Sequence, residues 1–187
     1  DREIVFAAVK SGGYNLQHAS EELRNDREFI LEAVKTIGGE SLRYASEELR
    51  NDREIVLESV KLNGYTLRYA SEELRNDREI ILEAVKLNFD ALIFASEELR
   101  DDREIILEAI NASGGEALIY ASKRLKDDRE IAMAAIKSFS GTGFSWKTTI
   151  EDGNFNNDRE IIIEVIAKTY GQALCDASEE LRNDREI

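Results

Sequence analysis

The tripeptide Asp-Arg-Glu begins at Asp1, Asp26, Asp52, Asp77, Asp102, Asp128, Asp158 and Asp184, at spacings of 25, 26, 25, 25, 26, 30 and 26 residues. Self-similarity at such a period marks a repeat array, in which each unit buries its apolar face only against its neighbours. The string Ser-Glu-Glu-Leu-Arg recurs from Ser20, Ser46, Ser71, Ser96 and Ser178. The 187 residues therefore hold seven units, starting at residues 1, 26, 52, 77, 102, 128 and 158, and the first four residues of an eighth. The array starts and stops in the same phase. Solenoid ends normally carry atypical capping repeats, so a fragment of a longer array is expected.

Within a unit the pattern is helical. Asn51, Asp52 and Glu54 form a helix start, with an Asn or Asp cap, acids in the first turn and Glu at the third helical position to complete a capping box. Ile55, Val56, Ser59 and Val60 then lie on one helical face, with Leu57 on its flank. A cation at Lys61 and a glycine at Gly64 end the helix. A second, shorter helix carries Leu67 and Ala70, and Ser71-Glu72-Glu73 starts a separate single turn anchored inward by Leu74. Period-two alternation bounded by turn residues is lacking, so strands are not expected. The fold class is all-α: an α-solenoid of about seven 25–26-residue repeats, each one longer helix plus one or two short helices.

The run Asp-Arg-Glu-Ile-Val-Leu-Glu-Ala-Val-Lys, then Gly, then Ala-Leu-x-Tyr-Ala-Ser-Glu-Glu-Leu-Arg-Asn-Asp, resembles an uncharacterised family of tandem helical repeats catalogued as a domain of unknown function. The resemblance covers nearly the whole chain and departs between Lys123 and Asn157. It implies the fold and carries no activity with it.

Composition excludes several functions. The net charge of −14 argues against nonspecific binding to nucleic acid or an anionic membrane, since both are polyanions. One cysteine rules out an internal disulfide framework and a cysteine-based zinc site. His18, the only histidine, leaves neither a His-based metal site nor a Ser-His-Asp triad. No apolar run approaches the roughly 20 residues of a membrane span, and no signal-like segment opens the chain. With the single cysteine, this favours a cytoplasmic setting.

Most of the chemistry-bearing columns have structural explanations. In each Asp-Arg-Glu, Asp caps the helix, Glu completes the box and Arg reaches acids of a neighbouring unit. The Glu-Glu pairs, such as Glu72 and Glu73, complement a helix dipole. The column Tyr44, Tyr69, Phe94 and Tyr120, with His18 and Asp176 in the same slot, is half-buried packing or a second binding ridge. Cys175 takes the slot of Arg43 and Arg68 and should be exposed.

Unit 128–157 is irregular. After a regular first helix it loses Ala-Ser-Glu-Glu-Leu-Arg and gains four or five residues, with Phe155 standing for the anchor Leu74. It carries Phe144 and the only tryptophan, Trp146. Just before it, Lys123 and Arg124 replace Glu-Glu, and Lys126 follows. Lys123, Arg124, Lys126, Phe144 and Trp146 thus form a candidate partner-binding patch, set against simple drift of one repeat. Asp152, Asn154, Asn156 and Asp158 alternate like the start of a calcium loop, but its glycine is Asn157 and its final Glu is Ile163.

The expected function is a non-enzymatic scaffold or protein-binding module, without cofactor, as a monomer or as copies stacked end to end. The alternatives are a spacer between domains of a larger protein, or an accessory domain of an enzyme. A protein partner is expected, itself acidic if the basic patch receives it.

Overall fold

The computed structural model describes residues 2–139 and 146–183, except the side chain of Thr148. They form two compact units, 1–99 and 100–187, and each is a stack of helical repeats of the α-solenoid class. Among the described residues there is no strand.

In the first unit the long helices run Arg2–Ser11, Arg27–Ile37, Arg53–Leu62 and Arg78–Leu87. Each is followed by a 3-10 helix: Gly13–His18, Gly39–Tyr44, Gly64–Tyr69 and Phe89–Phe94. A single α-turn closes each of the first three repeats, at Glu21–Arg24, Glu47–Arg50 and Glu72–Arg75. The expected second helix is thus a 3-10 helix. Its six residues carry Leu67 inward, and the next long helix packs across it.

The expected core face holds. Ile55, Val56, Ser59 and Val60 are fully buried, as are Ile80, Ile81, Ala84 and Val85, while Leu57 is half-buried. Leu42, Leu67 and Leu92 of the 3-10 helices are fully buried and the anchors Leu49 and Leu74 nearly so. Close approach requires glycine at the start of two 3-10 helices: a Cβ on Gly39 would stand 2.5 Å from the Ser59 carbonyl oxygen of the next long helix, and one on Gly64 2.3 Å from that of Ala84.

The helix starts differ from expectation in one respect. Asp52 is the cap, and its carboxylate accepts the Glu54 and Ile55 N–H groups at 3.0 and 3.1 Å. With Asp rather than Asn51 as cap, Glu54 falls at the second helical position. A capping box needs the third, so none forms. Asn51 instead ends the preceding turn. Glu54 takes another partner: the Arg27 guanidinium of the previous repeat bonds Asp52 at 2.7 Å and also Glu54. Arg53 does the same to Asp77 and Glu79.

The second unit repeats the plan with long helices Arg103–Ser113, Arg129–Ser138 and Arg159–Lys168. Its 3-10 helices are Glu116–Tyr120 and Gln172–Asp176, and its single turns Lys123–Lys126 and Glu179–Arg182. Gly114 and Gly115 both adopt left-handed backbone where the Arg103–Ser113 helix stops. Among its described residues the irregular repeat carries, after its long helix, one α-helix, Trp146–Asp152, and neither a 3-10 helix nor a separate single turn. Thr149, Ile150 and Phe155 of this segment are buried. The Arg fork persists: Arg103 bonds Asp128 and Glu130, and Arg129 bonds Asp158 and Glu160.

Candidate functional site

In the regular repeats the short turns build one edge of the seam with the preceding repeat. Ser71 accepts the Leu74 N–H at 3.2 Å and caps its own turn. Its hydroxyl donates to the Asn51 side-chain oxygen of the previous repeat at 2.5 Å, and its N–H to the Arg50 carbonyl at 2.9 Å. The Asn51 amide then donates to Glu73 at 3.2 Å. This serine–asparagine clasp recurs as Ser46 on Asn25 (2.6 Å), Ser96 on Asn76 (2.5 Å) and Ser178 on Asn157 (2.8 Å).

The basic residues read from the sequence sit on this edge, where asparagine has become aspartate. Asp101 occupies the Asn51 slot and still accepts the Ser122 hydroxyl. A carboxylate cannot donate as the Asn51 amide does. Arg124, in the Glu73 slot, reverses the polarity: its guanidinium donates to both Asp101 carboxylate oxygens at 3.0 and 3.1 Å and to the Asp101 carbonyl at 2.9 Å. The Ser122 hydroxyl and Arg124 hold the Asp101 carboxyl below the ordinary carboxylate range.

At Asp127 the change goes further. The irregular repeat has no serine three residues before its anchor, where Asp152 stands instead. Lys123 pairs with Asp127 at 3.1 Å and donates to the Asp152 carbonyl at 3.5 Å, and Lys126 lies 3.9 Å from the Asp152 carboxylate. A cleft of about 450 Å³ opens here, lined by Lys123, Lys126, Glu151, Asp152 and Asn154. The Lys123 side chain is 77% exposed.

Trp146 is half-buried, and its indole N–H donates to Asp176 at 3.2 Å. Asp176 stands in the tyrosine column, so the tryptophan reaches the slot that Tyr44 and Tyr69 fill elsewhere. Phe144 lies outside the described residues. Tyr44, Tyr69, Phe94 and Tyr120 are half-buried. Arg68 stacks over Tyr65 and Tyr69, with 4.8 and 4.5 Å to the ring centroids. The Tyr69 hydroxyl donates to Glu40 at 2.8 Å; burial, then this bond, push it above the ordinary phenol range. His18 and Cys175 are exposed in their expected slots.

Of the four residues in calcium-like spacing, Asp158 caps the Arg159–Lys168 helix and binds Arg129 at 2.6 Å. Asp152 faces Lys126, and Asn154 and Asn156 are exposed. Among the described residues no group of three or more His, Cys, Asp or Glu is placed to hold a metal ion, and no helix is long and apolar enough to cross a membrane.

The carboxylate pair at Asp127 and Asp152 had a sequence signal, a departure from Asn and Ser in two aligned columns. It shows only when the irregular repeat is registered on Phe155 rather than on its length.

The profile of a family described as a domain of unknown function (DUF4116) matches residues 1–50, 36–75, 52–100, 77–114, 102–141 and 158–187. The stretch 142–157, which holds the Trp146–Asp152 helix, falls outside every match. No curated protein and no solved structure matches the chain.

Proposed function

Because the chain belongs to the DUF4116 family of tandem repeats, a family described without an activity, we propose that it is a non-enzymatic protein-binding module whose contact lies at the irregular repeat. The observation that carries this is the cleft of about 450 Å³ at Lys123 and Lys126, on the seam edge where the serine–asparagine clasp is replaced. Lys123 is exposed at its mouth, and Lys147 of the neighbouring helix is 60% exposed. An acidic segment of a partner suits these cations, and Trp146 stands in the helix that ends at Asp152.

Two observations favour a second reading, a spacer. Arg124 is committed to Asp101, and the Trp146 indole to Asp176. A decaglutamate peptide, titrated against the fluorescence of the single tryptophan, separates the two. The binding module gives a saturable change that is lost in Lys123→Glu/Lys126→Glu. A spacer gives unmoved fluorescence and an unmoved melting temperature.

A further inference from the structure

We infer that the seam edge between repeats 5 and 6 is held by ions where the serine–asparagine edges are held by a hydroxyl–amide clasp, and that rising salt opens it relative to those edges. The inference stands on the fold and does not depend on the partner proposed above.

The register rests on two matches. Phe155 is buried as Leu74 is, and the Asn156 carbonyl accepts the Ser178 N–H at 2.7 Å as the Arg50 carbonyl accepts that of Ser71. In that register Asp127 holds the asparagine slot and Asp152 the serine slot. Two carboxylates therefore stand where a hydroxyl donor meets an amide elsewhere, and neither can donate to the other. Lys123 and Lys126 make up for this, one on Asp127 and the Asp152 carbonyl, the other on the Asp152 carboxylate.

The replacement changes how the edge responds to its medium. The Asp127 and Asp152 side chains are 42% and 47% exposed, so these pairs sit in reach of counterions. Screening contracts to about 3 Å at 1 M salt, less than the 3.9 Å between Lys126 and Asp152. The clasp of Ser71 on Asn51 joins two neutral groups and lacks that sensitivity. The Arg forks at the helix starts are common to regular and irregular repeats, so their screening cancels in a comparison of seams.

Hydrogen exchange on the intact chain, read by mass spectrometry at about 50 mM and about 1 M sodium chloride, tests this. The reporters are the amides of 150–158, including those of Phe155 and Asp158 that close the turn, against those of 71–77. Exchange in 150–158 is expected to quicken about threefold at high salt, with 71–77 unchanged. Equal responses in the two segments, or none in either, overturn the inference. Asp127→Asn/Asp152→Ser rebuilds the clasp and should abolish the salt response; its persistence in a folded variant is equally fatal.

Discussion

The edge at Asn51 and the edge at Asp127 occupy the same place in the repeat and are held by opposite chemistry. At Asn51 a serine hydroxyl, an asparagine amide and Glu73 form a chain of donors and acceptors. At Asp127 both neutral groups have become carboxylates, and lysines stand where glutamate and arginine stood. Asp101 is the intermediate case, keeping its serine while exchanging glutamate for Arg124. At both exchanged edges aspartate stands in the asparagine slot and a cation is bonded to it: Arg124 of the next repeat on Asp101, and Lys123 of the same repeat on Asp127. Stacking requires that donor meet acceptor across the seam, and the sign of the charges is free to vary so long as it does.

The comparison can be broken most strongly at Ser71. Ser71→Ala removes both the cap on the Leu74 N–H and the clasp to Asn51, and should cost about 2 kcal/mol in urea denaturation. A loss below about 0.5 kcal/mol would show that the clasp is incidental. Asn51→Asp is expected to cost about 1 kcal/mol, because its new carboxylate faces Glu73. Adding Glu73→Arg should recover that loss by recreating the Asp101–Arg124 arrangement. Additive effects in the double-mutant cycle would refute donor–acceptor matching.

Acid gives a smaller, distributed effect. Burial works to raise the Asp52 and Asp77 carboxyls, but the hydrogen bonds from Arg27 and Arg53 and from helix N–H groups outweigh it. Asp158 is held low chiefly by Arg129, against burial. A carboxyl whose folded pKa is depressed contributes stability above its unfolded pKa of about 4 and loses it as pH falls through the folded value. Melting temperature should therefore fall steeply below about pH 4 and stay flat above about pH 5. Among the clasp residues, Asp101 joins this loss, whereas the Ser71–Asn51 pair does not titrate. The smallest expected effect is at the irregular edge: Asp152→Ala should change stability by less than about 0.5 kcal/mol.

Much of this was legible in the sequence. The period, the long helices, the separate serine-capped turn, the reach of Arg27 to the next repeat and the inward anchor at Phe155 all follow from residue order, since each is local or recurs in register. The capping box was misjudged because Asn51 and Asp52 are adjacent and either could cap. What decided was the clasp, which uses Asn51 for the next repeat and leaves Asp52 for the helix. Arg124 read as part of a basic patch because its partner lies 23 residues away.

The sequence alone determined that this chain stacks helical repeats: its apolar residues recur with a period that no single unit can bury. Only the tertiary structure decided what the odd residues do. Asp101 and Asp152 look like ordinary surface acids until stacking brings them against Arg124 and Lys126. A charge takes its role from the groups it meets across a seam, and those distances exist only once the repeats are packed.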